Sequence, residues 1–398
     1  MISVADALAK CLALVSPLET ETVPLAQSAG RVLRGDVAAD RPQPPFAASA
    51  MDGYAILSAD HVIGKTLKVI GESAAGHGWD GTVTAGTALR IFTGAPMPRG
   101  AERVVLQEDV TRNGDLIILG ERIEQGTNVR PAGADFPAGF TLRAPRRLGP
   151  SDLALLAAMN CGQVPVSRRP VVAIIATGDE LVMPGESLRD DQIVASNCFA
   201  LKAMMQSAGA EARLLPIAPD RPEALRATLE LASGADLIVT IGGASVGDHD
   251  LVAQVAGDLG LDRAFYKIAM RPGKPLMAGR LGNAVFLGLP GNPVSAIVCG
   301  HLFLLPMLRA MLGLDQVAPI ERSARLSAPL PANGPRAHYM RAVVEHTPDG
   351  DVVTAFDRQD SSLLTILTEA NCLLVCPPNA PPLATGQSVT ILPLQAHY

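Results

Sequence analysis

Aromatic side chains are scarce. The 398 residues include 1 Trp, 4 Tyr and 9 Phe, too few for a platform on which single-stranded nucleic acid stacks. Positive charge is also short: 33 Lys and Arg against 39 Asp and Glu leave a net charge of −6, with no Lys/Arg-rich stripe. That balance argues against a general nucleic-acid binder, and an anionic ligand has to be held by a local basic cluster. The six cysteines, Cys11, Cys161, Cys198, Cys299, Cys372 and Cys376, form no CxxC pair and have no histidine at zinc-ligand spacing. They read as free, mostly buried thiols in a reducing compartment. Met1 to Val15 lacks a basic segment ahead of its apolar residues and is interrupted by Asp6, so it reads as an amphipathic helix and not as a signal peptide. The most apolar long stretch, Ser295 to Leu312, contains His301, Pro306 and Arg309 and reads as a buried helix, not a membrane span. The expectation is a cytoplasmic protein with neither nucleic-acid nor membrane partners.

What is present is apolar material for several cores: 48% of the residues are hydrophobic, and the length suggests two or three domains at a typical ~150 residues each. From Pro170 onward, fully apolar runs (VVAIIA, DLIVTI, AVFLGL) alternate with helical segments, the pattern of a parallel sheet covered on both faces. One helix runs from about Asn197 to Ala208, closed by Gly209; another has Asp220 as N-cap and Pro222 in its first turn; a long one follows GNP. The loops at the strand ends are TGDE, APDRP, GGASVGDHD, RPGKP and LPGNP. Open α/β sheets bind ligands at those ends.

The flanks differ. Tyr54 to Arg143 offers short β-like runs, KTLKVI, ALRIF, RVVLQ and DLIILG, punctuated by Gly, Pro and Asn-Gly, which reads as an all-β insert. Helical material near Val4 to Leu14, and from Ser151 as N-cap to Cys161 with Gly162 past the end, encloses it. Beyond Glu321, ARLSA, YMRAVVEH, DVVTAF, CLLVC and VTILP, with Asp349-Gly350 as a hairpin turn, suggest a small barrel or sandwich. The predicted division is a small helical domain (1–45 plus 145–169), an inserted β-rich domain (46–144), an α/β domain (170–318) and a C-terminal β-barrel-like domain (319–398).

Three chemical signals lie on the α/β loops. Gly242, Gly243 and Gly247 with Ser245 let backbone N–H groups converge on an anion such as a phosphate, although glycines also serve a tight turn. GxxxxGK[ST] and GxGxxG are both missing, which argues against a P-loop NTPase and a dinucleotide-binding domain. Carboxylates recur at Asp179, Glu180, Asp220, Asp248 and Asp250; gathered at one sheet edge they repel unless a cation bridges them, and hard oxygen donors of this kind suit Mg²⁺ carrying a substrate phosphate. Helix capping is the simpler role for Asp220. Lys267, Arg271 and Lys274 around RPGKP supply the opposing charge for a bound oxyanion. His249 stands in a candidate loop, and no histidine has triad or metal spacing.

Six motifs then occur together and in order: SAMDGYA (Ser49 to Ala55), FTGAPMP (Phe92 to Pro98), TGDEL, GGASVGDHD, RPGKP and GLPGNPVSA. The chain resembles, nearly end to end, the molybdopterin molybdotransferases of the MoeA and gephyrin E-domain family. The resemblance implies an elongated homodimer of four-domain chains, in which the α/β domain of one subunit faces the β-rich insert of the other. The implied reaction takes adenylylated molybdopterin and molybdate as substrates with Mg²⁺, passes molybdenum to the dithiolene and releases AMP. Because the sulfur ligands belong to the substrate, the chain needs no cysteine cluster of its own.

Carried over by position, the resemblance makes Asp52, Asp135, Glu180, Asp250 and Lys267 catalytic, with Glu180 and Asp250 at Mg²⁺. Substrate binding falls to Thr93, Arg130, Asp220, Gly242, Gly243, Ser245, Gly247, Arg271, Lys274, Pro290 and Pro293, and molybdate to Lys274, Arg341 and Ser361. Transient contacts with a molybdopterin adenylyltransferase and with molybdoenzymes are implied. Four positions depart from the family pattern: Ala47 and Ala48 before SAMDGYA, Arg271 in place of a lysine, and Asp360 in the QDSS segment, which brings negative charge near the expected molybdate site. Two other readings stay open: a scaffold or binding module of the same fold, which need not keep Asp52, Asp135, Glu180 and Asp250, and a molybdopterin adenylyltransferase, which lacks the insert and the C-terminal domain.

Overall fold

Val171–Ala176 is buried along nearly its whole length because its two faces meet different layers: Val172 and Ile174 point into one core, Ala173 and Ile175 into the other. The structure, a computed structural model, describes residues 1–243 and 250–394. The central sheet has the order Glu211–Leu214, Val171–Ala176, Leu237–Ile241, Ala284–Leu289, Met277–Leu281, Asp262–Tyr266. Its first four strands are parallel, as expected, but the last two pairings are antiparallel, with Met277–Leu281 alone running against the rest. The short turn at Gly282 joins Met277–Leu281 to Ala284–Leu289 with no crossover, and so forces a hairpin.

One face of the sheet is covered by Asn197–Ser207 and by the helix after GNP, the other by Pro222–Leu231 and Leu251–Asp258. The helix Pro293–Met311 is long and apolar enough to cross a membrane, yet 78% of its apolar window is buried inside the protein. Here it is the central core helix. A π-helical turn over Gly300–Leu304 lies just ahead of Pro306, whose ring nitrogen has no hydrogen to donate.

The small first domain departs from its expected helical character. It is built on a four-stranded sheet, Thr20–Pro24, Gln163–Ser167, Val32–Leu33 and Arg146–Arg147, with the helix Pro150–Ala158 packed on it. That helix is capped from Gly149, whose N–H donates to Asp152 at 2.9 Å, and not from Ser151. Val4–Ala13, expected in the same domain, leaves it: Ala7 and Cys11 are fully buried in the α/β core. Three arginines tie this domain to the α/β domain: Arg168 pairs with the Asp236 carboxylate at 2.9 Å, and the other two meet helix ends. Arg147 donates to the Ala208 carbonyl at 2.7 Å and Arg34 to that of Leu312 at 3.3 Å, so both cations satisfy carbonyls at helix C-termini.

Two short ribbons, Val37–Ala38 with Thr141–Leu142 and Ala48–Ser49 with Val129–Arg130, carry the chain out to the insert and back. The insert is a six-stranded sheet, Arg103–Leu106, Gly53–Ile56, Thr87–Ile91, Thr66–Ser73, Leu116–Leu119, Val110–Asn113. At the other end, Ala337–Thr347, Gly350–Ala355, Arg322–Leu326, Ser388–Pro393 and Cys372–Cys376 close into a five-stranded barrel, the last strand pairing back onto the first. Met270–Arg271 adds to it in parallel with Ala337–His338. The RPGKP loop is thereby fixed between the α/β sheet and the barrel. All six cysteines are free thiols.

Candidate functional site

A cleft of about 1120 Å³ opens where the α/β loops meet the barrel segment Gln359–Ser362. Of the residues singled out in the sequence, Glu180, Asp220, Gly242, Gly243, Arg271, Lys274, Pro290, Pro293 and Ser361 line it. The parallel strands deliver most of them. Val171–Ala176 leads into Glu180, Leu237–Ile241 into the glycines and Ala284–Leu289 into Pro290. Gly243 has φ +64°, and a Cβ there would lie 2.3 Å from Val252 Cγ2, so only glycine lets this backbone pass against the following helix. Ser245 and Gly247, with Asp248 and His249, lie outside the described residues.

The acidic side of the cleft differs from expectation in two residues. The N-cap position before Pro222–Leu231 is Arg221, and Asp220 does not cap. Its N–H instead donates to Asp179 Oδ1 at 3.0 Å, and its carboxyl is raised above the usual carboxylate range by burial, then by the charges of Asp179 and Glu180. Asp250, expected beside Glu180, is the N-cap of Leu251–Asp258. Its Oδ1 accepts Ala253 N–H at 2.8 Å and its Oδ2 accepts the Tyr266 hydroxyl at 2.7 Å. Among the described residues, the carboxylates on the α/β side of the cleft wall are therefore Glu180 and Asp220, with Asp360 on the barrel segment. Among the described residues no group of three His, Cys, Asp or Glu side chains could hold a metal ion alone. Two carboxylates suit Mg²⁺ that keeps waters and takes its other ligands from substrate phosphates.

On the basic side, Arg271 and Lys274 reach the cleft, whereas Lys267 does not line it: its Nζ sits over the Tyr266 ring, 4.7 Å from the centroid. Arg341, expected beside Lys274 and Ser361, does not line the cleft either: it is fully buried on the barrel strand beneath the QDSS segment. Its Nη2 donates to the carbonyls of Asp360 at 2.9 Å and Arg358 at 3.3 Å, while its Nε and Nη1 have no partner. Gln359 clamps the same segment, its amide bonding both the N–H and the carbonyl of Arg341 at 3.0 Å. The Asp360 carboxylate turns onto the hydroxyl and N–H of Ser362, 2.6 and 2.8 Å away. Those donors hold its pKa below the usual carboxylate range, so the added charge is real but occupied within its own turn.

The insert residues form a separate group. Asp52 Oδ1 accepts both the N–H and the hydroxyl of Thr93, at 2.7 and 2.8 Å, and these two donors hold the carboxyl low. Arg130 lies opposite Ala48 in the adjoining ribbon, and Asp135 is exposed where its N–H meets the Gln43 carbonyl. None of the four lines the cleft of its own chain.

Sequence reasoning gave no role to Asn197, Ser295 and Arg336, and took Asn292 only as a nest or helix entry and Gln359 only as part of the QDSS segment, yet all five are on the cleft wall. Asn197 Nδ2 donates to the Gly291 carbonyl at 2.6 Å and Asn292 Nδ2 to Ser361 Oγ at 2.9 Å. Asn197 and Asn292 begin helices, where asparagine reads as an ordinary cap; that position is the one signal that could have drawn attention to them.

Three family models match the chain in succession: the MoeA N-terminal region (domain I and II) over residues 2–160, the "Probable molybdopterin binding domain" over 173–310, and the MoeA C-terminal region (domain IV) over 323–394. Molybdopterin molybdenumtransferase from Nostoc sp. is 36% identical over 394 residues, spanning 95% of this chain and 90% of the relative. The enzyme of the same name from Haemophilus influenzae is 35% identical, spanning 95% and 94%. The crystal structure of a molybdopterin biosynthesis MoeA protein from Pyrococcus horikoshii superposes with a TM-score of 0.85 at 30% identity, covering all of both chains. With its sequence, its fold and each of its regions matched in this way, the chain belongs to the MoeA family and is a transferase.

Proposed function

We propose that this chain inserts molybdenum into adenylylated molybdopterin: molybdate is the metal source, the phosphoanhydride is cleaved, molybdenum passes to the substrate dithiolene and AMP leaves. The observation that carries the reading is Arg341. A guanidinium at 0% exposure with Nε and Nη1 unpartnered is costly to keep. Its position under Asp360 and beside the Arg271 charge suits a buried oxyanion that completes it.

In this reading Lys274, Arg341 and Ser361 hold molybdate, with Arg271 presenting a planar fork where relatives carry an ammonium. Backbone N–H groups from Gly242 onward receive the substrate phosphates. Glu180 and Asp220 would hold Mg²⁺, whose contribution when bound is a hard counter-charge to the phosphates. Asp250 supports the phosphate loop as a cap. The insert group of Asp52, Thr93, Arg130 and Asp135 stands apart from its own cleft, which suits a homodimer in which it serves the partner's cleft. A molybdopterin adenylyltransferase as supplier, molybdoenzymes as recipients and a cytoplasmic setting accompany this chemistry.

The test is a molybdate titration of product formation. Arg341→Ala should raise the half-saturating molybdate more than about tenfold, the scale of a lost charged hydrogen bond, while calorimetric affinity for adenylylated molybdopterin stays near wild type. Equal losses in both would contradict separate sites.

A further inference from the structure

Asparagine is among the strongest helix N-caps because its side-chain oxygen accepts a backbone N–H of the first turn. Asn292 holds that position ahead of Pro293–Cys299 and makes no capping bond. Its amide crosses the cleft instead. Nδ2 donates to Ser361 Oγ at 2.9 Å, and the Val294 N–H donates to the Ser361 carbonyl at 3.1 Å. One serine of the barrel is thus gripped by the loop that ends the strand Ala284–Leu289, and both Asn292 and Ser361 face the cleft that Lys274 enters.

The direction of that bond has a chemical consequence. An amide nitrogen donates and does not accept, so Ser361 Oγ spends a lone pair on Asn292 and keeps its own proton. Its neighbour does the opposite: the Ser362 hydroxyl gives its proton to Asp360 Oδ1 at 2.6 Å. We propose that Asn292 is a positioning residue that fixes the Ser361 hydroxyl as a donor toward a tetrahedral oxyanion in the cleft. This rests on the reading of Ser361 as part of the molybdate site. Without Asn292 the hydroxyl rotates freely and can present a lone pair to the anion; with a pure acceptor at 292 it turns its proton away altogether.

Asn292→Asp separates direction from linkage. The carboxylate preserves a hydrogen bond between the two loops but reverses it, because it only accepts. Molybdate alone would be titrated calorimetrically into the full chain in four forms: wild type, Ser361→Ala, Asn292→Asp and the double variant. Thermal melts would establish that each is folded. The added charge of Asp is common to the last two and cancels in their comparison. In the wild-type background Ser361→Ala should weaken molybdate about three- to tenfold, the range of one hydrogen bond to a charged group. In the Asn292→Asp background the same change should cost less than about 1.5-fold, since the proton is already turned away. An equal loss in both backgrounds would overturn the proposal, because a mere clasp is broken by Ser361→Ala in either. No loss in the wild-type background would instead overturn the placement of Ser361 at molybdate.

Discussion

Tyr266 gives its hydroxyl proton to Asp250 across 2.7 Å, and the other oxygen of Asp250 receives the N–H of Ala253. Burial, then this bond and the Asp250 charge, push the Tyr266 pKa up to about 12. Asp250→Asn keeps an N-cap but removes the charge, so the tyrosine should titrate lower, though still above an exposed phenol because burial remains. Absorbance titration against the Tyr266→Phe variant isolates its signal. Asp250→Ala should cost about 1–2 kcal/mol in urea unfolding and Asn much less; equal losses would argue against the capping role.

A second expectation concerns the RPGKP loop. Gly273 has φ +106°, and an added Cβ would lie 2.6 Å from Cys299 Sγ and 3.2 Å from Met270 Cε. Gly273→Ala should therefore cost about 1–3 kcal/mol and displace Arg271 and Lys274, weakening molybdate use. Adding Cys299→Ala removes the contact but leaves the left-handed backbone, so melting and molybdate titration should show partial recovery only. Full recovery would place the whole effect in the steric contact.

His338 sets a pH dependence. Burial first, and then the charges of Arg271, Arg341 and Arg336, bring its pKa from 6.5 down to about 4. Between those values the unfolded chain binds a proton that the folded chain refuses. Stability is therefore full above 6.5 and falls as the pH drops toward 4. His338→Gln should flatten this slope, by on the order of 2 kcal/mol between pH 7.5 and pH 4.5 in urea unfolding. Parallel pH profiles for variant and wild type would contradict a neutral buried histidine.

These groups show where sequence was informative. Buried runs such as Val171–Ala176 and the loops after them were legible because a doubly covered strand must be apolar throughout and its ligand loops follow its carboxyl end. The barrel was legible from alternation and from Asp349-Gly350. The sheet of the first domain was not, since Val32–Leu33 and Arg146–Arg147 are only two residues long and show no period. Val4–Ala13 was recognisable as a helix, but its apolar face does not say which core receives it. Asp220 looked like a cap because Pro222 follows two positions later; the true cap position is one residue on, and that shift turns the carboxylate into the cleft. Arg341 sits at a position whose burial depends on the loop from Arg358 to Asp360 folding over it, a long-range event that local pattern does not encode.

Mixed dimers address the separation of the insert group from the cleft. A purified heterodimer of Asp52→Ala and Glu180→Gln chains contains one intact site if the insert serves the partner's cleft, and activity should recover to about half of wild type, as two-fold symmetry requires. Activity no higher than either mutant homodimer would place both residues in one chain's site.

The central claim is molybdenum transfer coupled to AMP release. The decisive measurement is anaerobic incubation of the chain with adenylylated molybdopterin, molybdate and Mg²⁺, following AMP and the reconstitution of a cofactor-free molybdoenzyme together. AMP and active cofactor should form in equal amounts, stop with EDTA, and fall sharply in Lys274→Ala. AMP release without active cofactor, or undiminished release in a rigorously chelated reaction, would contradict the account.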